Sequence, residues 1–313
     1  MIFNLTAPDR AVGFQENPYR EMMKRYIYII GIVLAAAMHL PGCMKLQTTR
    51  TDTHISFEPM IGHDTRAVES VPFPQERNFK VWAVNQTSGE THIQGEKISY
   101  SADGWKSAKL WPLDDLYFEA CWPADLPWEY TLKGLQLKDF DCSEGDTDLL
   151  LAKAYDNNEE DDVVVLSFSH LLSRVEFRML HSLPEDMSVR VKRIDMIGFA
   201  VKGDFNARNP GAWTVGEDDF SYVVYDAGDT DGILISHGGA QYITGDFYVI
   251  PQGCTASLDV QYEICYGTAN WVPQSDRIES LMTQWEPGGH YTYTLNLKMD
   301  KLTHTTGISS MYN

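Results

Sequence analysis

No apolar run in this 313-residue chain is long enough to cross a bilayer. The longest, Tyr26–Leu40, has 15 residues, whereas a spanning helix needs roughly 20. Positive charge is scarce, with 25 Lys+Arg against 44 Asp+Glu and a formal net charge of −19. That balance argues against a nucleic-acid partner, because phosphate neutralisation needs clustered Lys and Arg. It argues equally against adhesion to anionic lipid through a basic face. Cysteines number only five and none are spaced C-x-x-C, so zinc and thioredoxin chemistry have no support. Also missing are H-E-x-x-H, G-x-S-x-G, a P-loop and a G-x-G-x-x-G opening a helix. The chain is therefore expected not to be an enzyme and to require no cofactor or metal. Amphipathic helical patterns of 12 or more residues are lacking after residue 42, as are solenoid-type repeats.

What is present begins with a targeting device. Lys24-Arg25 precede the short apolar run, an arrangement that reads as a secretory signal rather than an anchor helix. The run ends in Leu40-Pro41-Gly42-Cys43, which resembles a bacterial lipobox. The resemblance implies that Cys43 is acylated and becomes the first residue of the mature chain. Several acyl chains would tether the protein firmly, and Met44 rather than Asp after Cys43 favours the outer membrane. Translation is expected from Met22 or Met23, because Asp9, Glu16 and Glu21 do not suit the amino-terminal region of a signal.

The body reads as short strands. Segments rich in Val, Ile, Tyr, Phe and Thr recur between Gly, Pro, Asp and Asn clusters, among them Phe79–Val84, Leu116–Trp122, Val163–Phe168 and Ala256–Tyr266. Val175, Phe177 and Met179 alternate with Arg174, Glu176 and Arg178, as in a half-buried strand. Tyr291, Tyr293, Leu295 and Leu297 repeat that pattern. Such spacing predicts an all-β chain of sandwiches or barrels. The acidic run 156–162 marks the expected division, because so many carboxylates must stay hydrated.

Phe168-Ser169-His170-Leu171-Leu172-Ser173-Arg174-Val175-Glu176-Phe177 resembles a segment of the Bacteroidetes-type fimbrillin-like lipoproteins. Other family-like pieces stand in the expected order along the chain: Ile55-Ser56-Phe57, Thr65-Arg66-Ala67, Phe79-x-Val81-x-Ala83, Asp148–Ala152, Gly245–Gln252 and Trp285–Leu295. This resemblance implies two tandem transthyretin-like (Greek-key) β-sandwich domains, expected over 67–162 and 163–313. Residues 1–42 would be an upstream extension plus signal, and 43–66 a lipidated leader bearing the first strand. It further implies assembly by strand addition: a protease cuts after Arg66, so that Ile55 and Phe57 leave with the first strand, Arg50 being the second cleavage candidate. Another subunit then fills the groove, giving a homo- or hetero-polymer at the outer-membrane surface that contributes to adhesion and biofilm formation and can meet a ligand on a host or partner cell. The terminus Lys301–Asn313 is weakly apolar, so anchor, tip and accessory roles stand beside that of a stalk subunit.

The remaining candidates have plain explanations. His170 reads as a packing histidine, and His237-Gly238-Gly239 as a turn. Asp229–Gly232 and the 156–162 run lack EF-hand spacing and read as solvated loops. Cys121, Cys142, Cys254 and Cys265 read as buried thiols; a 121–142 bridge is open across a turn, whereas Cys254 and Cys265 stand too far apart along one straight strand. Trp105, Trp111, Trp122 and Trp128 supply the rival reading, a glycan-binding outer-membrane lipoprotein that stacks sugars on exposed aromatics.

Overall fold

The computed structural model describes residues 53–62, 70–156, 163–208, 212–216, 220–245 and 247–311. Every regular element among them is a strand, as the alternating apolar patterns require. Ten precede Leu171: β1 (His54–Ile61), β2 (Val71–Pro72), β3 (Asn78–Asn85), β4 (Thr91–Ser101), β5 (Gly104–Leu110), β6 (Leu116–Trp122), β7 (Glu129–Thr131), β8 (Gly134–Asp141), β9 (Leu150–Asp156) and β10 (Val164–His170). The next six are β11 (Ser173–His181), β12 (Met187–Phe199), β13 (Lys202–Asn206), β14 (Ala212–Val215), β15 (Phe220–Asp226) and β16 (Ile233–Ile235). The last six are β17 (Gln241–Tyr242), β18 (Phe247–Val249), β19 (Gly253–Tyr266), β20 (Val272–Gln284), β21 (Gly289–Leu297) and β22 (Leu302–Ser310).

The first sheet runs β10-β9-β6-β3-β4-β5-β1, and β1 pairs in parallel with β10, so its seven strands close on themselves. Closure removes both edges of that sheet, the main liability of an open one. Inside lie Phe79, Phe118, Phe168, Ile93, Ile98 and Leu166, each at most 1% exposed. Phe73, just after β2, plugs the same core edge-on against Phe79 and Trp105. The opposite face of β3 and β6 is also covered: Trp82 and Cys121 belong to a second core that continues through β11, β12, β19 and β21.

Two sheets frame most of that second core, in the orders β17-β11-β21-β22 and β15-β12-β19-β20. Along β11, Val175, Phe177 and Met179 are fully buried, and along β21 Tyr291, Tyr293, Leu295 and Leu297 face inward. A third sheet, β14-β13-β8-β7, joins a hairpin from the first half of the chain to one from the second. The first core continues past the acidic run, because Val164, Leu166 and Phe168 of β10 point into it. Passage to the second core falls at Leu171 and Leu172. There Leu171 N donates to Leu149 O, and Trp213 Nε1 donates to Leu171 O.

Candidate functional site

Strand β1 is short and comes from the amino-terminal side, yet it closes the first sheet. One edge pairs in parallel with β10, Phe57 opposite Val164 through Ile61 opposite Phe168. The other pairs antiparallel with β5, with an irregularity between His54 and Ser56. Period-two alternation sends Ile55 and Phe57 inward, at 0% and 4% exposure. Phe57 meets Phe79 and Phe118 edge-on at 5.8 and 5.9 Å between ring centroids. The pattern HISFEPMI thus works as a wedge: apolar positions in the core, polar ones outside. Taking this strand away would leave β5 and β10 with unpaired backbone and a groove floored by phenylalanines.

Beyond Ile61 the chain returns through β2, whose Val71 and Pro72 pair with Ile61 and Met60. Phe73 N then donates to Pro59 O. β1 and the Phe73 plug therefore stand on opposite sides of the sequence that contains Arg66. Cys43, Arg50 and Arg66 lie outside the described residues.

A second candidate strand lies at the other end. The sequence pattern predicts strand only as far as Met299, but Leu302–Ser310 forms β22, paired with β21 over its whole length. It is the outer strand of its sheet and has no fully buried residue, Ile308 being 70% exposed. Its hold is therefore mostly main-chain hydrogen bonding, in contrast to β1.

The other expected residues have structural partners. His170 Nδ1 lies 2.6 Å from Asp148 Oδ2, a nearly buried pair where the two cores meet. The turn at His237 is exposed, and Gly238 N donates to His181 O. Asp231 is engaged by Arg190 Nη1 at 2.7 Å. No cluster of His, Cys, Asp and Glu suited to a metal occurs among the described residues. Cys121, Cys142 and Cys265 are buried thiols outside any disulfide. Burial pushes the Cys142 thiol up to about 12, which makes it inert as a nucleophile.

The tryptophans do not form a sugar platform. Trp105, Trp111 and Trp128 are at most 7% exposed, and the half-buried Trp122 ring is covered by the Arg77 guanidinium at 4.4 Å. Trp128, moreover, serves the second core, against Phe205.

A family model described as fimbrillin-like matches residues 65–310. No curated protein matches the chain. Among solved structures, a fimbrial protein from Bacteroides vulgatus superposes with a TM-score of 0.59 at 15% identity, over 83% of this chain and 100% of that one. A protein from Bacteroides ovatus assigned to cell adhesion gives 0.54 at 14% identity, over 82% and 97%. Another so assigned, from Bacteroides uniformis, gives 0.53 at 17%, over 83% and 99%. At such identities the structural likeness is one of fold.

Proposed function

Because the chain belongs to the fimbrillin-like family, a family of structural fimbrial and adhesion proteins, we propose that it is a surface fimbrial subunit assembled by strand addition. In this reading it travels to the outer membrane on acyl chains at Cys43. Cleavage after Arg66 then frees β1, and a strand of another subunit enters between β5 and β10. Main-chain pairing supplies affinity, and the pockets vacated by Ile55 and Phe57 set the register. The observation that carries the reading is the placement of β1: one strand, at the amino-terminal side, completes an otherwise open sheet. Phe73 supports it too, since this plug lies beyond the cut and would stay behind to hold the opened core. The chain is taken as two transthyretin-like sandwich domains, one around each hydrophobic core, with the β7–β8 hairpin from the first half of the chain lent to the second. The weakly buried β22 is a source of donor strand for a homo- or hetero-polymer. Anchor, tip, accessory and stalk positions are all compatible with that geometry, in a structure serving adhesion and biofilm formation.

The test uses purified chain 43–313 and limited trypsin, with size measured by light scattering. Cleavage at Arg66 should yield concentration-dependent oligomers, and Arg66→Ala should stay monomeric under the same treatment. If the cut chain stays monomeric at high concentration, strand addition is lost as an explanation. Anchoring is checked separately: Cys43→Ser should move the protein from the detergent phase to the aqueous phase. Unchanged partitioning would rule out a lipid on that thiol.

A further inference from the structure

We propose that a cleft on the outer face of the first sheet, beneath the tip of the β7–β8 hairpin, binds a carboxylated sugar residue. This cleft is built on β6 and β9 rather than on the groove-lining β5 and β10, and does not depend on strand addition.

Strands β6 and β9 form the floor. Their register places Tyr117 opposite Tyr155 and Glu119 opposite Lys153 on the outer face. The two tyrosine rings stand 4.6 Å apart at a 36° tilt, and Tyr155 is 72% exposed. Hairpin residues Tyr130, Lys133 and Gly134 form the roof, and the turn carrying Arg208 closes one side. The cleft is open on one side and has a volume of about 440 Å³, within the range of small-molecule sites.

Floor and roof are tied together at one buried residue. Glu119, 2% exposed, accepts from the Tyr117 hydroxyl at 2.7 Å and from Leu135 N at 2.6 Å, so it fixes both a floor ring and the hairpin. Burial and the Glu119 carboxylate raise the Tyr117 hydroxyl far above its usual range, which keeps it a donor. Gly134, at φ 81°, lets the hairpin backbone lie directly on that carboxylate; a Cβ there would come within 2.9 Å of Glu119 Oε1.

The charges identify the ligand. Lys153 Nζ donates to Ala207 O, and Arg208 Nη1 donates to Leu132 O at 3.1 Å. Both partners are neutral carbonyls, and among the described residues neither cation meets a carboxylate. With Lys133 they make a cationic rim in a chain whose net charge is −19. A bare anion would satisfy that rim but leave the tyrosine faces unused. A neutral sugar would stack on the rings yet leave the cations uncovered. A pyranose bearing a carboxylate meets both demands: its C–H face packs on Tyr155 and Tyr117, and its carboxylate faces Lys153 and Arg208.

Such a group occurs in sialic acids and in uronic acids, so chemical-shift perturbation is measured with 3′-sialyllactose, with trigalacturonate and with lactose. Saturable shifts are expected from at least one acidic probe, and its identity names the source. Lactose should bind at least about tenfold more weakly, the stacking alone being insufficient. Tyr155→Ala and Arg208→Ala, both at exposed positions and safe for folding, should each weaken binding at least about tenfold. Absence of saturable binding by both acidic probes overturns the proposal. So does equal binding of lactose, or binding that neither substitution alters.

Discussion

Phe57→Ala will destabilise the first core by about 3–5 kcal/mol, the usual loss for truncating a buried phenylalanine. The site offers little relief, because Phe57 is held edge-on by two rings that are themselves packed: Phe79 by Phe73, Trp105 and Phe168, and Phe118 by Trp111. The neighbouring Ser56→Ala, at a half-buried position on the outer side, should stay within about 0.5 kcal/mol. Urea unfolding followed by tryptophan fluorescence measures both, since Trp105 and Trp111 line this core. The same substitution bears on assembly. Once the chain is cut after Arg66, β1 is held by its pairing with β5, β10 and β2, by the Phe73 N to Pro59 O hydrogen bond, and by the buried Ile55 and Phe57. The Phe57→Ala strand should therefore leave the cleaved protein much faster than the wild-type strand. Equal stability of the Phe57 and Ser56 variants would mean that the strand is not wedged as described.

What could be read in advance depended on whether a residue's partner was its own neighbour. Strand β6 was legible to the residue, since LYFEACW is apolar and bounded by polar turns. Strand β11 and β21 were legible because period-two alternation is a local property. Ile55 and Phe57 were legible as an alternating apolar pair, and the structure buries both. Strands β20 and β22 carried no such signal. The sequences VPQSDRIESLMTQ and LTHTTGISS are polar because each lies at the outside of its sheet and needs only one paired edge. The ring closure of the first sheet was beyond local reading as well, since it joins Phe57 to Val164, more than a hundred residues away. The tyrosine cleft failed for the same reason: Tyr117 and Tyr155 become neighbours only through the β6–β9 register. Its one local trace is Tyr117 and Glu119 spaced two apart in an otherwise apolar strand. The tryptophans misled in the opposite direction, for their abundance beside prolines reflects core filling rather than an open platform.

The face of β11 turned away from the second core holds a buried charge whose removal has a distinct signature in acid. Glu176, 3% exposed on β11, accepts from Arg178 Nη2 at 2.9 Å and from Thr292 Oγ1 at 2.8 Å, while His290 Nε2 lies 3.3 Å from its other oxygen. Burial by itself would raise this carboxyl, but the Thr292 hydrogen bond, His290 and Arg178 outweigh it and hold the group below its ordinary value of 4.5. The unfolded chain then binds a proton at a higher pH than the folded one does. The contribution of Glu176 to stability is accordingly complete above pH 4.5 and disappears as the pH falls through the lower folded value. Glu176→Ala should cost about 2–3 kcal/mol at neutral pH, because two donors, Arg178 on β11 and Thr292 on β21, lose their common acceptor. The penalty stops short of the largest buried-pair losses, since Arg178 is 35% exposed and also rests on the Tyr242 ring at 4.1 Å. Glu176→Gln keeps the shape and removes only the charge, so it isolates the titration. Its stability gap from wild type should be widest near neutrality and close as the pH is lowered toward about 3. A gap that stayed constant across that range would show that the carboxylate is not held charged by its neighbours, and that the junction of β11 with β21 rests on packing alone.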